Sequence, residues 1–209
     1  MPKFSIIMPA HNSANYIHKA LDSIKCQAFT DYEVIVVCDA CTDGTASVVH
    51  NYGFTPHVVN YHADGLARNY GLEHARGEYI LFMDDDDWWL HEFVLDELND
   101  VTGRYPDVDI FCFSFIFKDV GYAMPKGLLY QKDFSIRNDC KWYWIAVWSK
   151  CWKRSAIGGT RFSDATDGSA DVRFHYEMME KKLKMLEWDM PMYYYNYMRK
   201  GSQTERNSK

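Results

Sequence analysis

Tyr79-Ile80-Leu81-Phe82-Met83, followed without a break by Asp84-Asp85-Asp86-Asp87 and Trp88-Trp89, is the stretch on which the reading of this chain turns. Five apolar or aromatic residues bounded by Gly77 and a charged run predict a strand buried on both faces, which is what a parallel sheet under helices requires. The strand then meets four carboxylates. Parallel-sheet proteins bind ligands outside the carboxyl ends of their strands, so an acidic cluster there points into the crevice. Four adjacent anions repel one another, and a hard divalent cation such as Mg2+ or Mn2+ is the usual remedy. The same aspartates also suit a solvated turn, with Asp87 capping a helix that starts near His91. The surrounding chain decides between the two.

Outward from this stretch, strands and helices alternate. Phe4 to Met8 is an apolar run stopped by Pro9, and Asn12-Ser13 offers caps for a helix over Ala14 to Ile24, where Tyr16, Ile17, Ala20, Leu21 and Ile24 recur at helical spacing. Tyr32 to Cys38 is a second buried strand, and Thr42-Asp43-Gly44-Thr45 a turn leading a helix to about Asn51. His57 to Tyr61 predicts a third strand, Leu66 to Ala75 a helix closed by Gly77, and His91 to Thr102 a further helix. This alternation predicts an α/β layer with a parallel sheet.

After Pro106 the rhythm stops. Asp109 to Phe117 reads as a long aromatic strand, Trp142, Tyr143, Trp144, Trp148 and Trp152 crowd one region, and Asp171 to Lys184 reads as a helix with Phe174, Met178 and Leu183 inward. Met185 to Trp188 and Tyr193 to Tyr197 predict two more strands. No repeat or low-complexity linker separates the halves, so residues 1–106 and 107–209 are expected to form one continuous globular unit, the second half an aromatic-rich lobe packed on the first.

Composition narrows the function. With 47% hydrophobic residues the chain can bury a real core, and a net charge of -6 gives no basic surface for a nucleic-acid backbone. No apolar run reaches the ~20 residues of a membrane-spanning helix, so a cytoplasmic protein, soluble or peripheral at a membrane, is expected. The six cysteines lie mostly in apolar segments with no secretory leader before them, which fits a reducing compartment without disulfides.

Neither a Gly-x-Gly-x-x-Gly after the first strand nor a Gly-x-x-x-x-Gly-Lys-Ser/Thr is present, which disfavours dinucleotide and P-loop chemistry. Without a glycine cradle, phosphates need neutralising from a metal held by the Asp84 to Asp87 cluster. Cys38-x-x-Cys41 has the spacing of a zinc ligand pair or redox couple, but no second pair accompanies it, and the two read as small apolar side chains ending a strand. Of the eight histidines only His11, at the tip of the first strand, and His175, on the late helix, lie where a site could be. Five of the seven tryptophans and eight of the fifteen tyrosines follow Pro106; aromatics dominate core burial, so most are expected to fill the core and some to line an acceptor groove by stacking on sugar rings.

These residues resemble a family. Ser5-Ile6-Ile7-Met8-Pro9-Ala10-His11-Asn12 is similar to the S-I-I-P-A-Y-N opening of family 2 glycosyltransferases, which have the GT-A fold. Val36 to Thr45 resembles V-V-D-D-G-S-T-D-G-T, Gly65 to Gly71 resembles G-x-x-x-A-R-N-x-G, and Gly77 to Trp88 resembles the D-x-D block G-E-Y-I-x-F-L-D-S-D-D-W. Weaker likeness continues through Trp148-Ser149-Lys150, Asp171 and Tyr195 to Ser202. The resemblance implies an inverting glycosyltransferase that uses a nucleotide-sugar, UDP-linked by expectation. It places Asp39 on the base, Pro9, His11, Asn12, Arg68, Asp84 and Asp85 around the nucleotide-sugar, and Mn2+ or Mg2+ on Asp86 and Asp84. Asp171 matches the acid of an E-D pair that serves as general base. His11 stands where the family has tyrosine, Cys38 and Cys41 replace an acid and a serine, and Ala170 replaces the glutamate before the base, which keeps Asp164 and Asp167 as rivals.

The chemistry agrees with this reading on its own terms. An activated sugar leaves a diphosphate whose charge a cation stabilises, while a separate carboxylate takes the proton of the incoming hydroxyl. One carboxylate on each side implies direct displacement with inversion. The implied acceptor is a glycan or lipid-linked glycan of a bacterial surface polysaccharide. A nucleotidyltransferase would share the metal-bound aspartates but normally shows a Gly-rich basic loop after the first strand, and Pro9 to Asn15 contains no Gly, Lys or Arg. An inactive nucleotide- or glycan-binding module is the remaining alternative, with Ala170 its support.

Overall fold

The computed structural model describes residues 1–117, 121–123, 135–137, 146–166 and 169–196, of which 117, 121–123 and 135–137 are described by their backbone alone. Trp142, Tyr143, Trp144, Cys140, Asp167, Tyr197 and Ser202 lie outside the described residues. The first half runs β1 (Phe4–Ala10), α1 (His18–Lys25), β2 (Tyr32–Asp39), α2 (Thr45–Asn51), β3 (Pro56–Val59), α3 (Asp64–His74), β4 (Tyr79–Phe82), β5 (Trp88–Trp89) and α4 (Val94–Arg104). The second half runs β6 (Ile110–Phe117), β7 (Gly121–Ala123), β8 (Ser135–Arg137), β9 (Lys150–Lys153), α5 (Arg154–Ile157), α6 (Ala170–Glu180) and β10 (Met185–Tyr195).

One sheet carries all ten described strands, in the order β3-β2-β1-β4-β9-β6-β10-β5, with β7 on β6 and β8 on β10. The first four are parallel, β9 enters antiparallel between β4 and β6, and β10 returns parallel to β6. Apolar side chains alternate between the two faces, as the pleat dictates. Ile6, Met8, Val36, Cys38 and Leu81 bury against Ile17 just before α1, Leu21 and Ile24 of α1, Val49 of α2 and Leu95 and Leu98 of α4. Ile7, Ile35, Val37, Ile80 and Phe82 bury on the other face against Ala67 and Leu72 of α3, Ile157 of α5 and Phe174 and Met178 of α6. This is the predicted sheet flanked by helices.

Several boundaries differ from the sequence reading, and four of them have a local reason. The first helix starts at His18 and not Ala14, because Asn12 spends its side-chain oxygen on the amides of Thr42 and Asp43, while Tyr16 and Ile17 donate back to the Ser13 carbonyl in turns. The helix expected from His91 starts at Val94, where Gln27 Oε1 accepts the Leu95 amide and Gln27 Nε2 donates to the His91 carbonyl. The late helix stops at Glu180, and a left-handed Lys182 turns the chain so that the Lys184 amide reaches Asp109 Oδ2 at 2.9 Å. The two predicted C-terminal strands are one, Met185 to Tyr195, with register shifts around Pro191, which has no amide to give the ladder.

A candidate active site at the sheet's switch point

Strand β1 lies between β2 on one side and β4 on the other, so the connections after β1 and β4 leave the sheet in opposite directions and open a crevice at their carboxyl ends. Into it come His11 and Asn12 after β1, Asp39 at the end of β2 and Asp84 to Asp87 after β4. Pro9 lies one step back, still within β1 and opposite Val37.

Asp84, Asp85 and Asp87 each have a different partner. Asp84 Oδ1 accepts from Arg68 Nη2 at 2.9 Å and Asp85 Oδ2 from the His11 amide at 3.2 Å. Asp87 is fully buried, and its oxygens accept the Tyr193 hydroxyl and the Asn196 amide, each at 2.8 Å. Asp87 therefore does not cap a helix: it fastens β10 beneath the crevice, where the same Tyr193 oxygen accepts the Asp84 amide at 3.2 Å. Burial first, then crowding by Asp171 and Asp86, pushes the Asp84 carboxyl up to about 6 against the opposing pull of Arg68. Burial and the neighbouring Asp86 likewise raise Asp85, and burial with Asp84 and Asp86 raises Asp87.

Arg68 organises the other side. Its Nη1 lies 2.6 Å from Asp64 Oδ2 and 3.3 Å from Asp171 Oδ1, while Nη2 holds Asp84, and the guanidinium lies over the Phe162 ring. Burial works against its charge, yet Asp171, Asp84 and Asp64 outweigh that and keep it protonated. The glycines of the Gly65–Gly71 motif make this placement possible. A Cβ on Gly71 would lie 2.3 Å from Ile7 Cγ2, and one on Gly65 2.3 Å from the Ser163 carbonyl and 3.0 Å from Ala170 Cβ. Helix α3 thus lies directly on β1, and its first turn lies on the loop that leads into α6.

Asp171 is the second residue of α6, whose N-cap is Ser169, so it is not the helix cap. Burial raises its carboxyl and Arg68 pulls the other way. Of its rivals, Asp164 is exposed to solvent in the preceding loop and Asp167 lies outside the described residues. Ala170, where the family carries glutamate, is fully buried against Gly65.

At the opposite end of the crevice, Asp39 takes three successive amides: Tyr61 and His62 on Oδ1 at 2.6 and 3.0 Å, and Ala63 on Oδ2 at 2.9 Å. It fixes the start of α3, and one acceptor position remains on Oδ2 for an incoming donor. The His11 ring presents Nδ1 to the Asp39 carbonyl at 2.7 Å, which requires the hydrogen on Nδ1, and Nε2 then accepts from Asn12 Nδ2 at 3.2 Å. His175 is buried one turn beyond Asp171, and burial followed by Lys150 pushes it down to about 4. The sequence reading missed Asp64, Tyr193 and Asn196. Asp64 carried a signal, being four residues before Arg68 on a predicted helix.

A divalent ion is implied by the acidic block. Among the described residues no three or more His, Cys, Asp or Glu side chains converge as a ready-made ligand cluster. Mg2+ and Mn2+ sites in phosphate enzymes use one or two carboxylates and take the remaining oxygens from substrate and water. Asp84 and Asp86 supply hard oxygen donors of that kind, so the donor set fits such an ion.

Comparison with known proteins agrees with this arrangement. The profile of "Glycosyl transferase family 2" matches residues 5–152. The poly(ribitol-phosphate) beta-N-acetylglucosaminyltransferase TarS of Staphylococcus aureus is 36% identical over 116 residues, 52% of this chain and 20% of TarS. The structure of S. aureus TarS 1–349 in complex with UDP-GlcNAc superposes with a TM-score of 0.83 at 24% identity, covering 97% of this chain and 60% of that one. A mannosyltransferase from Pyrobaculum calidifontis in complex with GDP-Man and Mn2+ superposes at 0.70 with 18% identity, covering 96% of this chain and 58% of that one. The chain thus spans a fifth of the TarS sequence and about three fifths of these solved structures. Its sheet, its crevice and its motifs from Ser5 to Trp152 make the chain a member of glycosyl transferase family 2 with the GT-A fold.

Proposed function

We propose that the chain transfers a sugar from a UDP-sugar to a hydroxyl of a glycan or lipid-linked glycan, with inversion and with help from a divalent cation, in the synthesis of a surface polysaccharide. The observation that carries the reading is that Asp84 and Asp171, from the two halves of the chain, meet on the two arms of one buried guanidinium, Arg68. A donor-side carboxylate and an acceptor-side carboxylate are thereby held across one crevice, as a single displacement needs. The uracil edge would meet Asp39 Oδ2 and the His11 ring, and the diphosphate would lie toward Asp84 to Asp86. A bound Mn2+ or Mg2+, held by Asp84 and Asp86, would supply positive charge against the departing diphosphate. Asp171 takes the acceptor's proton, and its raised pKa makes it the stronger base for that step.

The name of TarS, a poly(ribitol-phosphate) beta-N-acetylglucosaminyltransferase, supports a polymer as acceptor, and its UDP-GlcNAc complex supports a UDP-linked donor. Among the described residues no helix is long and apolar enough to cross a membrane; we infer action at the cytoplasmic face, on an acceptor brought there by its lipid. Calorimetry of UDP with and without Mn2+, beside a donor-hydrolysis screen over nucleotide-sugars, tests the reading. The protein should bind UDP at least tenfold more tightly with Mn2+, and Asp86→Ala should lose that gain while remaining folded. Equal UDP affinity in both proteins with and without the ion, or a preference for a nucleoside triphosphate, would overturn it.

A further inference from the structure

Cys38 and Cys41 both lie beside Ala10 of β1. Cys38 is fully buried in β2 and is the register partner of Ala10, while Cys41, half-buried just beyond the strand, gives its S–H to the Ala10 oxygen at 3.4 Å. Both thiols face the side of the sheet covered by α1 and α2. The chain reverses between them at Ala40, whose φ is 48°. A hydrogen bond from the Cys38 S–H, with further donors from Asn12 and Thr45, lowers the Cys41 thiol, while the same bond and burial raise Cys38. One sulfur is thus partly solvent-reachable and readily ionised, and the other is a shielded thiol beside it. That is the division of labour of an attacking and a resolving cysteine.

We propose that Cys38 and Cys41 are a peroxide-sensitive dithiol that closes to a disulfide and switches off the nucleotide end of the crevice. The Cys41 sulfur attacks hydrogen peroxide, the O–O bond breaks, and the departing hydroxide leaves as water with the thiol's proton. The Cys38 sulfur then attacks the Cys41 sulfenic sulfur, the S–O bond breaks, and the second hydroxide leaves as water with the Cys38 proton. Two thiols are oxidised and one peroxide is reduced to two waters. The S–S bond of about 2.05 Å is much shorter than a sulfur–sulfur hydrogen bond, so closure draws Cys41 off Ala10 and pulls residues 39–43 with it. Those residues carry the Asp39 carbonyl that receives His11 Nδ1 and the Thr42 and Asp43 amides that Asn12 braces. The consequence for binding rests on the assignment of this rim to the nucleotide base.

Reduced protein, Cys41→Ser, Cys38→Ala and Cys26→Ser are exposed to hydrogen peroxide, quenched, and followed by intact mass, peptide mapping and UDP calorimetry. Wild type and Cys26→Ser should lose the mass of two hydrogens, mapped to residues 38 and 41. Their UDP Kd should rise tenfold or more and recover with dithiothreitol. Cys41→Ser, which carries the family's serine, should keep its mass and its Kd, and Cys38→Ala should stop at a sulfenic acid that dimedone traps. The proposal is overturned if Cys38 and Cys41 stay reduced while Cys26 reacts, or if the disulfide forms and the Kd does not move. Should reduced protein fail to bind UDP at all, the proposed function falls, while the mass reading still decides whether the dithiol is a redox site.

Discussion

Replacing Arg68 by methionine keeps the length and most of the packing of the side chain and removes its charge. Arg68 is only 4% exposed and joins Asp84, Asp171 and Asp64. Breaking a buried pair by deleting one partner costs about 3 to 5 kcal/mol, because the charges left behind are uncompensated. Asp64, a third exposed, adds little to that. Asp84 and Asp171 would then feel burial and one another with no opposing cation, so their pKa values rise above the already elevated wild-type ones. An acid whose folded pKa exceeds its unfolded value stabilises fully only below the unfolded value, near 3.8, and that stability is lost as pH rises through the folded value, about 6 for Asp84 even with Arg68 present. The penalty for Arg68→Met should therefore be about 3 to 5 kcal/mol at pH 7.5 and clearly smaller at pH 5. Urea unfolding followed by tryptophan fluorescence at both pH values measures it. A penalty below about 1 kcal/mol at pH 7.5, or one that does not shrink toward pH 5, would refute the claim that Arg68 neutralises a buried carboxylate cluster.

Two further outcomes follow from single contacts. His175 has a folded pKa of about 4 against 6.5 unfolded, so its neutral form contributes stability above pH 6.5 that is lost as pH falls toward 4. Between pH 7 and 5 that loss is about 2 kcal/mol, and His175→Phe should lose that much less than wild type over the same range; parallel acid-dependence curves would contradict it. Tyr193→Phe removes the hydroxyl that donates to Asp87 and accepts the Asp84 amide. Leaving a buried acceptor unpaired costs about 1 to 3 kcal/mol, so chemical denaturation should show a loss of that size, and one below about 0.5 kcal/mol would mean that Asp87 does not anchor β10 through Tyr193.

The α/β half was legible because its signals are local. Apolar runs such as Ile80 to Phe82 end at glycine, proline or acid, and the helices between them repeat at 3.6. Likewise His11, Asp39, Arg68 and Asp84 stand in short ordered motifs that a sequence displays directly. What could not be read depends on contacts across long separations. The two-residue strand Trp88–Trp89 exists only because Tyr193 and Tyr194 pair with it, and β9 hides between Lys150 and Lys153, its first lysine buried in the sheet. Asp87 looked like a helix cap because nothing near it announces Tyr193 or Asn196, and Gln27 capped the helix in its stead from another part of the chain. The sequence predicts Asp171 at the head of its helix; the structure puts it one residue inside, on Arg68, which separates it from exposed Asp164.

The most direct test is turnover of Asp171→Asn on the UDP-sugar that the hydrolysis screen selects, with Asp164→Asn alongside and thermal unfolding to verify folding. Asparagine keeps the shape and removes the proton-accepting charge, so turnover should fall ~10²-fold or more while the UDP Kd stays within about twofold. Asp164→Asn should turn over normally. A folded Asp171→Asn protein working at the wild-type rate would contradict the account that Asp171 and Asp84, joined through Arg68, form the two sides of a transfer site.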